Sequence, residues 1–474
     1  MFREYNKVRF FRVFLTLWIT YAAYTVVRRP MSVARADIQR DTGLTPAETS
    51  LVDSVFVFSY TFGQLLYGRI SRRWGNKQIL LYGILLSAAA LACLGLASSL
   101  SLFCVAWAIN GIAQAAGWAT CLSIMNRWVF PNERGRVMGW WSTNMAVGGV
   151  IGNVFPAFLI GKGYSWRVSV GAEAALILAV GGVVLLVLVQ HPNVVGFLSV
   201  QQVEGEAQPT SWARIDDSLP LNKDGEVYGS SLRPTGSSVG QQYPLRQNDN
   251  DEAHEESVSL TFCTIIKLPG VRGICASYFL HKLVRYGFMF WLPYFAVHEL
   301  KYTTEVAGYL TSAFDIGGVV GTVASGYISD WLFHGRGRTR VVLLFTAGMV
   351  LGTFCFAFFS RFFEEQALLF AAVVAIIGFF AFAIDALLSG SFLLDYLEQI
   401  QMAKHAGAIS GVVGGVGSVG SILQGVFTVL LSSSSWQTLF YSFGLATALA
   451  GVCLASPLWR ELRRGRKTSF AVRS

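Results

Sequence analysis

Apolar stretches long enough to cross a bilayer, roughly 18 residues or more, recur along the whole chain, and nothing else restricts its fold so strongly. In hydrocarbon every backbone polar group must be satisfied within the protein, so such stretches must be helices or closed barrels. A barrel needs short strands with dyad alternation, and runs such as Ile79–Ala97 and Ala172–Val189 have none. The composition agrees, with 53% hydrophobic and only 14% charged residues, against roughly a quarter charged in soluble domains. Twelve spans are expected, near 10–30, 50–70, 78–97, 102–126, 136–160, 168–190, 272–297, 305–328, 340–360, 367–393, 405–431 and 436–457.

Between the sixth and seventh spans the chain turns polar, and residues 191–265 have the composition of a disordered linker, with the acidic run Asp249, Asp251, Glu252, Glu255 and Glu256. The expected plan is a six-helix half over 1–190, the linker, and a second half with a basic tail over 266–474. The net charge of +9 is spread in short clusters beside the spans: Arg3, Lys7, Arg9 and Arg12, then Arg69, Arg72, Arg73 and Lys77, and finally Arg460 to Lys467. That is the positive-inside pattern rather than a nucleic-acid surface, and it puts both termini in the cytoplasm. No cleavable signal is expected at the start. The seven cysteines are scattered without metal spacing, and no phosphate loop or nucleophile constellation appears. No metal, cofactor or enzymatic activity is expected.

An internal repeat points to a site between the halves. Gly68-Arg-Ile-Ser71 after the second span is echoed by Gly326-Tyr-Ile-Ser329 after the eighth, Arg28 by Arg285, and Gly148-Gly149 by Gly414-Gly415. Repeated halves of this kind mark transporters that bind cargo at the repeat interface. The glycine runs are read as seams for close helix approach.

Arg285 lies midway along the seventh span. An arginine there costs at least ~3 kcal/mol unless it faces protein or water. Its planar fork suits phosphate oxygens, and the alternative is an internal pair with Asp315 or Asp385. Arg28 stands near the end of its apolar run, where a long cation can snorkel, but it is the repeat counterpart of Arg285. Arg29 is read as the interface anchor. Tyr21 and Tyr24 precede Arg28 by seven and four residues, on one helical face. Lys282, three before Arg285, is either a second phosphate contact or the balance for an acid. His281 is read as a satisfied polar residue. Tyr60 and Gln64 are placed in the cavity wall, and Asn110, Gln114, Trp118 and Asn144 either contact the cargo or pack between helices. Asp53 and Asp315 are assigned to helix caps or gate partners, with Asp330 and Arg73 as further gate residues, and Glu173 is a fourth intramembrane acid.

These motifs resemble the major facilitator superfamily. Its loop after the second span fits at Gly68, Arg73 and Gly75, although Arg72 stands where an acid is usual and only the second copy keeps it, as Asp330. A finer resemblance, over nearly the whole chain except the linker, is to the organophosphate:phosphate antiporters, above all the eukaryotic sugar-phosphate exchangers. It rests on Tyr21–Pro30, Asn110–Trp118, Arg134–Ser142 and Lys282–Pro293. Gln64 and Met145 replace the lysine and histidine of bacterial members. The resemblance implies an all-α membrane protein of twelve helices. It also implies exchange of a phosphorylated metabolite for inorganic phosphate, and the endoplasmic reticulum membrane as one possible location. The chain is expected to work as a monomer. A proton-coupled organic-anion carrier of the same fold and a non-transporting sensor are the rival readings.

Overall fold

The computed structural model describes residues 2–129, 134–197, 262–333, 338–402 and 405–471, so most of the expected linker lies outside the described residues. The side chains of the gate candidates Arg73 and Asp330 lie outside them too.

Twelve long helices carry the fold: α1 (Leu15–Val26), α2 (Pro46–Trp74), α3 (Asn76–Gly95), α4 (Leu100–Asn126), α5 (Arg134–Gly161), α6 (Trp166–Val187), α7 (Val271–His298), α8 (Thr304–Phe333), α9 (Arg338–Phe359), α10 (Ala367–Ala386), α11 (Ala406–Ser432) and α12 (Trp436–Cys453). All twelve expected spans are present, with ends moved by a few residues. Among the described residues ten helical stretches are long and apolar enough to cross a membrane, the first running Tyr5–Val33. α2 and α7 are not among them. Their apolar runs are interrupted by groups with work to do, including Asp53 on α2 and His281, Lys282 and Arg285 on α7.

The packing repeats across the two halves. α2 packs on α4 as α8 does on α10; α1 pairs with α5 as α7 does with α11; α3 pairs with α6 as α9 does with α12. The halves meet through the equivalent pairs α5 with α8 and α11 with α2. This is the twelve-helix major facilitator fold with its pseudo-two-fold axis. Tyr5 donates to the Trp128 carbonyl (2.7 Å) and Arg12 Nε to that of Val187 (3.2 Å), so the N-terminal turn sits where α4 and α6 end. The helix after α12, Ala455–Ala471, is tied by Glu461 to Thr339 and Arg340 at the start of α9. After an even number of crossings, both termini lie at one end.

At the other end the halves are sealed. A Cβ on Gly149 would collide with Asp315, one on Gly308 with Ala157, and one on Gly161 with Glu305, so α5 and α8 touch backbone to side chain there. The glycine seam reading holds for Gly148 and Gly152, which meet α1, and for Gly417 and Gly420, which meet α7. Gly411, Gly414 and Gly415 meet nothing within 4 Å among the described residues. They lie in the half of α11 toward the termini.

Candidate functional site

A cavity of about 580 Å³ lies between the halves. It is lined from the N-terminal half by Tyr21, Arg28, Tyr60, Gln64, Trp118 and Met145, and from the C-terminal half by Tyr278, Lys282, Arg285, Tyr286, Phe382 and Asp385, with a row of hydroxyls at Ser325, Ser389, Ser391, Ser418 and Ser421. Tyr21, Arg28, Lys282, Arg285, Tyr60, Gln64 and Trp118 thus stand together as the sequence indicates.

Arg28 owes its position to a break. α1 stops at Val26, and Pro30, which has no N–H to continue the ladder, opens the short helix Pro30–Val33. The Val27 carbonyl that this frees accepts from Asn110 Nδ2 (3.4 Å) and Gln114 Nε2 (3.5 Å) on α4. Gln114 Nε2 also donates to Asn110 Oδ1 (3.1 Å), which accepts in turn from Ser87 (2.6 Å). Gln114 Oε1 is then left facing Arg28 and accepts from its Nε. The Arg28 guanidinium lies 4.9 Å from the ring centroid of Tyr60 and 5.7 Å from that of Tyr21. No carboxylate lies within ion-pair distance among the described residues, and its Nη2 has no protein acceptor.

Of the residues put forward for the cavity, four stand elsewhere. Asn110 and Gln114 are buried and do not line the cavity; they satisfy the broken backbone and aim Arg28. Tyr24 donates to the Leu80 carbonyl (3.3 Å) and packs away from the cavity. Tyr24 and Tyr21 stand three residues, about 60°, apart around the continuous α1, and of the two only Tyr21 turns to the cavity. Asn144 is fully buried, with neither polar side-chain atom bonded, one turn position away from the cavity-lining Ser142 and Met145.

On α7, Arg285 Nη1 donates to Asp385 Oδ2 (3.1 Å), so the alternative ion pair is realised while both residues still line the cavity. Asp385 Oδ1 accepts from Tyr278 (3.1 Å). Arg285 also covers the Phe382 ring at 4.2 Å. Asp385 reaches inward because α10 opens into a wide turn, Leu387–Ser391, with Gly390 outside helical geometry; such bulges recur at functional sites. Lys282 lies 4.8 Å over the Tyr278 ring and has no acid within ion-pair distance among the described residues, so it does not balance Asp385 directly. Among the described residues three cations and one carboxylate line the cavity, leaving two positive charges. His281, read as a satisfied polar residue, is buried with Nε2 unpartnered. Glu173 is buried off the cavity with neither carboxylate oxygen bonded.

Arg29 is not an interface anchor. Fully buried, it donates to Asp315 Oδ1 (2.7 Å) across the halves, and Asn153 donates to Asp315 Oδ2 (3.1 Å). Asp315 is therefore an inter-half partner rather than a cap. Asp53 pairs within its own half with Arg35, which stacks 4.0 Å over Trp291 of α7. Pro293 leaves the Met289 carbonyl without its helical donor; Arg29 Nη1 (3.3 Å) and Ser32 Oγ (3.2 Å) supply donors from the other half. Thr304 donates to Asp37 (2.7 Å) and Ser54 to the Ile422 carbonyl (3.0 Å). The cavity is thus closed on the side away from the termini.

Residue-by-residue reading missed Tyr278, Tyr286 and the serines. Tyr278 precedes Lys282 and Arg285 by four and seven residues, the same helical face, and that spacing was the available signal.

A cationic cavity between repeated halves, sealed at one end, is the arrangement of a rocker-type carrier. The profile of the Major Facilitator Superfamily matches residues 13–424 and 274–472, and the chain belongs to that superfamily. It is an integral, multi-pass membrane transporter. Its relatives include a putative glycerol-3-phosphate transporter 2 of Arabidopsis thaliana, 27% identical over 98% of this chain and 88% of the relative. A glucose-6-phosphate exchanger of Xenopus laevis is 24% identical over 95% and 93%. The sugar phosphate exchanger 3 of Homo sapiens is 27% identical over 87% and 80%.

Proposed function

We propose that this transporter exchanges a phosphorylated small metabolite, a sugar phosphate or glycerol 3-phosphate, for inorganic phosphate by alternating access. The observation that carries the reading is the surplus of two positive charges on a cavity wall shared by both halves. A phosphomonoester brings about −1.5 to −2 charges at neutral pH, and arginine forks hold such oxygens in bidentate fashion. Arg28 and Lys282 offer charge that no acid among the described residues neutralises, Arg285 adds a third donor, and the tyrosines and serines suit a hydroxylated body. An empty cavity keeps its surplus charge, which makes return without an anion costly and favours exchange over net flow. The names of the relatives support this cargo class.

The expected organisation follows: halves 1–190 and 266–474 rock about the cavity, one chain forms the transport unit, and the basic clusters hold both termini in the cytoplasm. The sealed side then faces away from the cytoplasm; in the endoplasmic reticulum it would face the lumen. Purified chain in phosphate-loaded vesicles should take up labelled phosphate and phosphorylated metabolites, and Arg28→Ala or Arg285→Ala should abolish the counterflow. Normal exchange in both variants would sink the mechanism, and uptake driven by a pH gradient alone would transfer the chain to proton-coupled carriers.

A further inference from the structure

Among the described residues four charged side chains stand on the cavity wall, and of these Asp385 is the one acid. It is held in place from three sides. Tyr278 donates to one carboxylate oxygen and Arg285 to the other, both at 3.1 Å, and Ser389 Oγ, in the wide turn that starts at Leu387, donates to its backbone carbonyl at 2.6 Å. Its side chain keeps 18% of its surface open while that of Arg285 keeps 4%. The carboxylate is therefore on the cavity surface but unable to swing away, and it stays beside any anion that settles on Arg285. Arg285 Nε remains without a protein acceptor, so the fork is only partly used by the pair.

We propose that Asp385 sets the charge number of the cargo: the cavity accepts anions carrying two negative charges and turns away those carrying three. This rests on the reading of the cavity as a phosphate site. The reasoning is electrostatic. The cations Arg28, Lys282 and Arg285 could together balance three negative charges, and the fixed carboxylate already takes one. In a cavity walled by Tyr21, Tyr60, Trp118, Tyr286 and Phe382, charge is poorly screened. A third negative charge on the cargo would meet Asp385 with no free cation left to answer it. The aromatic and hydroxyl groups discriminate by shape and hydrogen bonding, but none of them counts charge. Phosphorylated alcohols and sugars fall on the accepted side. Phosphorylated carboxylic acids fall on the rejected side, although their phosphate groups are identical.

Two compounds of nearly equal size separate these classes: glycerol 3-phosphate and 3-phosphoglycerate, which differ by a hydroxymethyl against a carboxylate. At about pH 7.5, above the second phosphate ionisation near 6, they carry two and three negative charges. In exchange against internal phosphate, the full chain should prefer glycerol 3-phosphate by about tenfold or more in Vmax/KM. Asp385→Asn keeps the volume and an acceptor for Tyr278 but removes the charge, and should bring the ratio to about one or invert it. Asp385→Glu should keep the preference. A purely structural pair would lower both rates together and leave the ratio alone. If Asp385→Asn inserts but does not turn over, thermal-shift titration of the purified variant with the same two compounds gives the ratio at equilibrium. A wild-type ratio near one, or an unchanged ratio in Asp385→Asn by either measurement, overturns the proposal while leaving phosphate exchange standing. Failure of the wild type to exchange either compound overturns the phosphate reading beneath it.

Discussion

Arg28 and Arg29 are neighbours in sequence and both are buried, yet they serve opposite ends of the molecule. Arg28 faces the cavity with a neutral amide and two aromatic rings around it. Arg29 is locked to Asp315 at the seal. One charge is kept available and the other is spent inside the protein. The turn between Val26 and Pro30 makes this possible, because consecutive residues on a continuous helix point only about 100° apart. A binding site needs charge without a partner, whereas a seal needs every charge matched. The difference therefore predicts opposite responses to the same kind of substitution.

The largest effect should come at the seal. Arg29→Met leaves Asp315 buried without its cation, which should cost about 3–5 kcal/mol of stability, read as a drop in thermal unfolding temperature in detergent. Adding Asp315→Leu should recover most of that loss. A double variant as unstable as the single one would mean that the pair is not what holds this end together. Arg28→Ala should do the reverse, abolishing exchange with little change in unfolding temperature. Arg28→Lys should recover only part of the rate, since a point charge lacks the fork.

A smaller test sharpens the boundary between the regions. A Cβ at Gly149 would intrude on Asp315, so Gly149→Ala should loosen the seal and shift the equilibrium toward its open form by about tenfold, near 1.4 kcal/mol. The measurement is the labelling rate of Ser32→Cys by a membrane-impermeant thiol reagent, with and without the alanine. An unchanged rate would show that the two halves can part without disturbing Asp315. The smallest effect is expected at Tyr24→Phe. It removes one hydrogen bond to Leu80, worth about 1 kcal/mol, and should leave exchange untouched because the phenol faces away from the cavity.

The span pattern, the repeat and the pairing of Arg28 with Arg285 are legible in the sequence because they depend on hydrophobicity and offset alone. The roles of Arg29, Tyr24, Asn110, Gln114 and Asn144 are not, since each depends on helical phase or on the partner helix. The turn after Val26 sends the consecutive Arg28 and Arg29 to the cavity and to the seal, which counting along one regular helix does not show. Asn110 and Gln114 look like cargo contacts because polar groups inside a membrane invite that reading. The backbone carbonyl they satisfy becomes visible only once α1 and α4 are side by side. Asp315 lies some 290 positions from Arg29, and no local pattern links them.

The absence of α7 from the ten self-sufficient spans bears on how the chain is made. A segment carrying Arg272, Lys282 and Arg285 partitions poorly into lipid by itself. It should leave the insertion machinery late, held until α8 or the finished first half offers a polar face to lie against. In nascent chains stopped just after α7, Cys275 on that segment should therefore stay open to a membrane-impermeant thiol reagent, while extension through α8 should shield it. The helix that brings Lys282 and Arg285 to the cavity is by the same token one that lipid alone holds poorly.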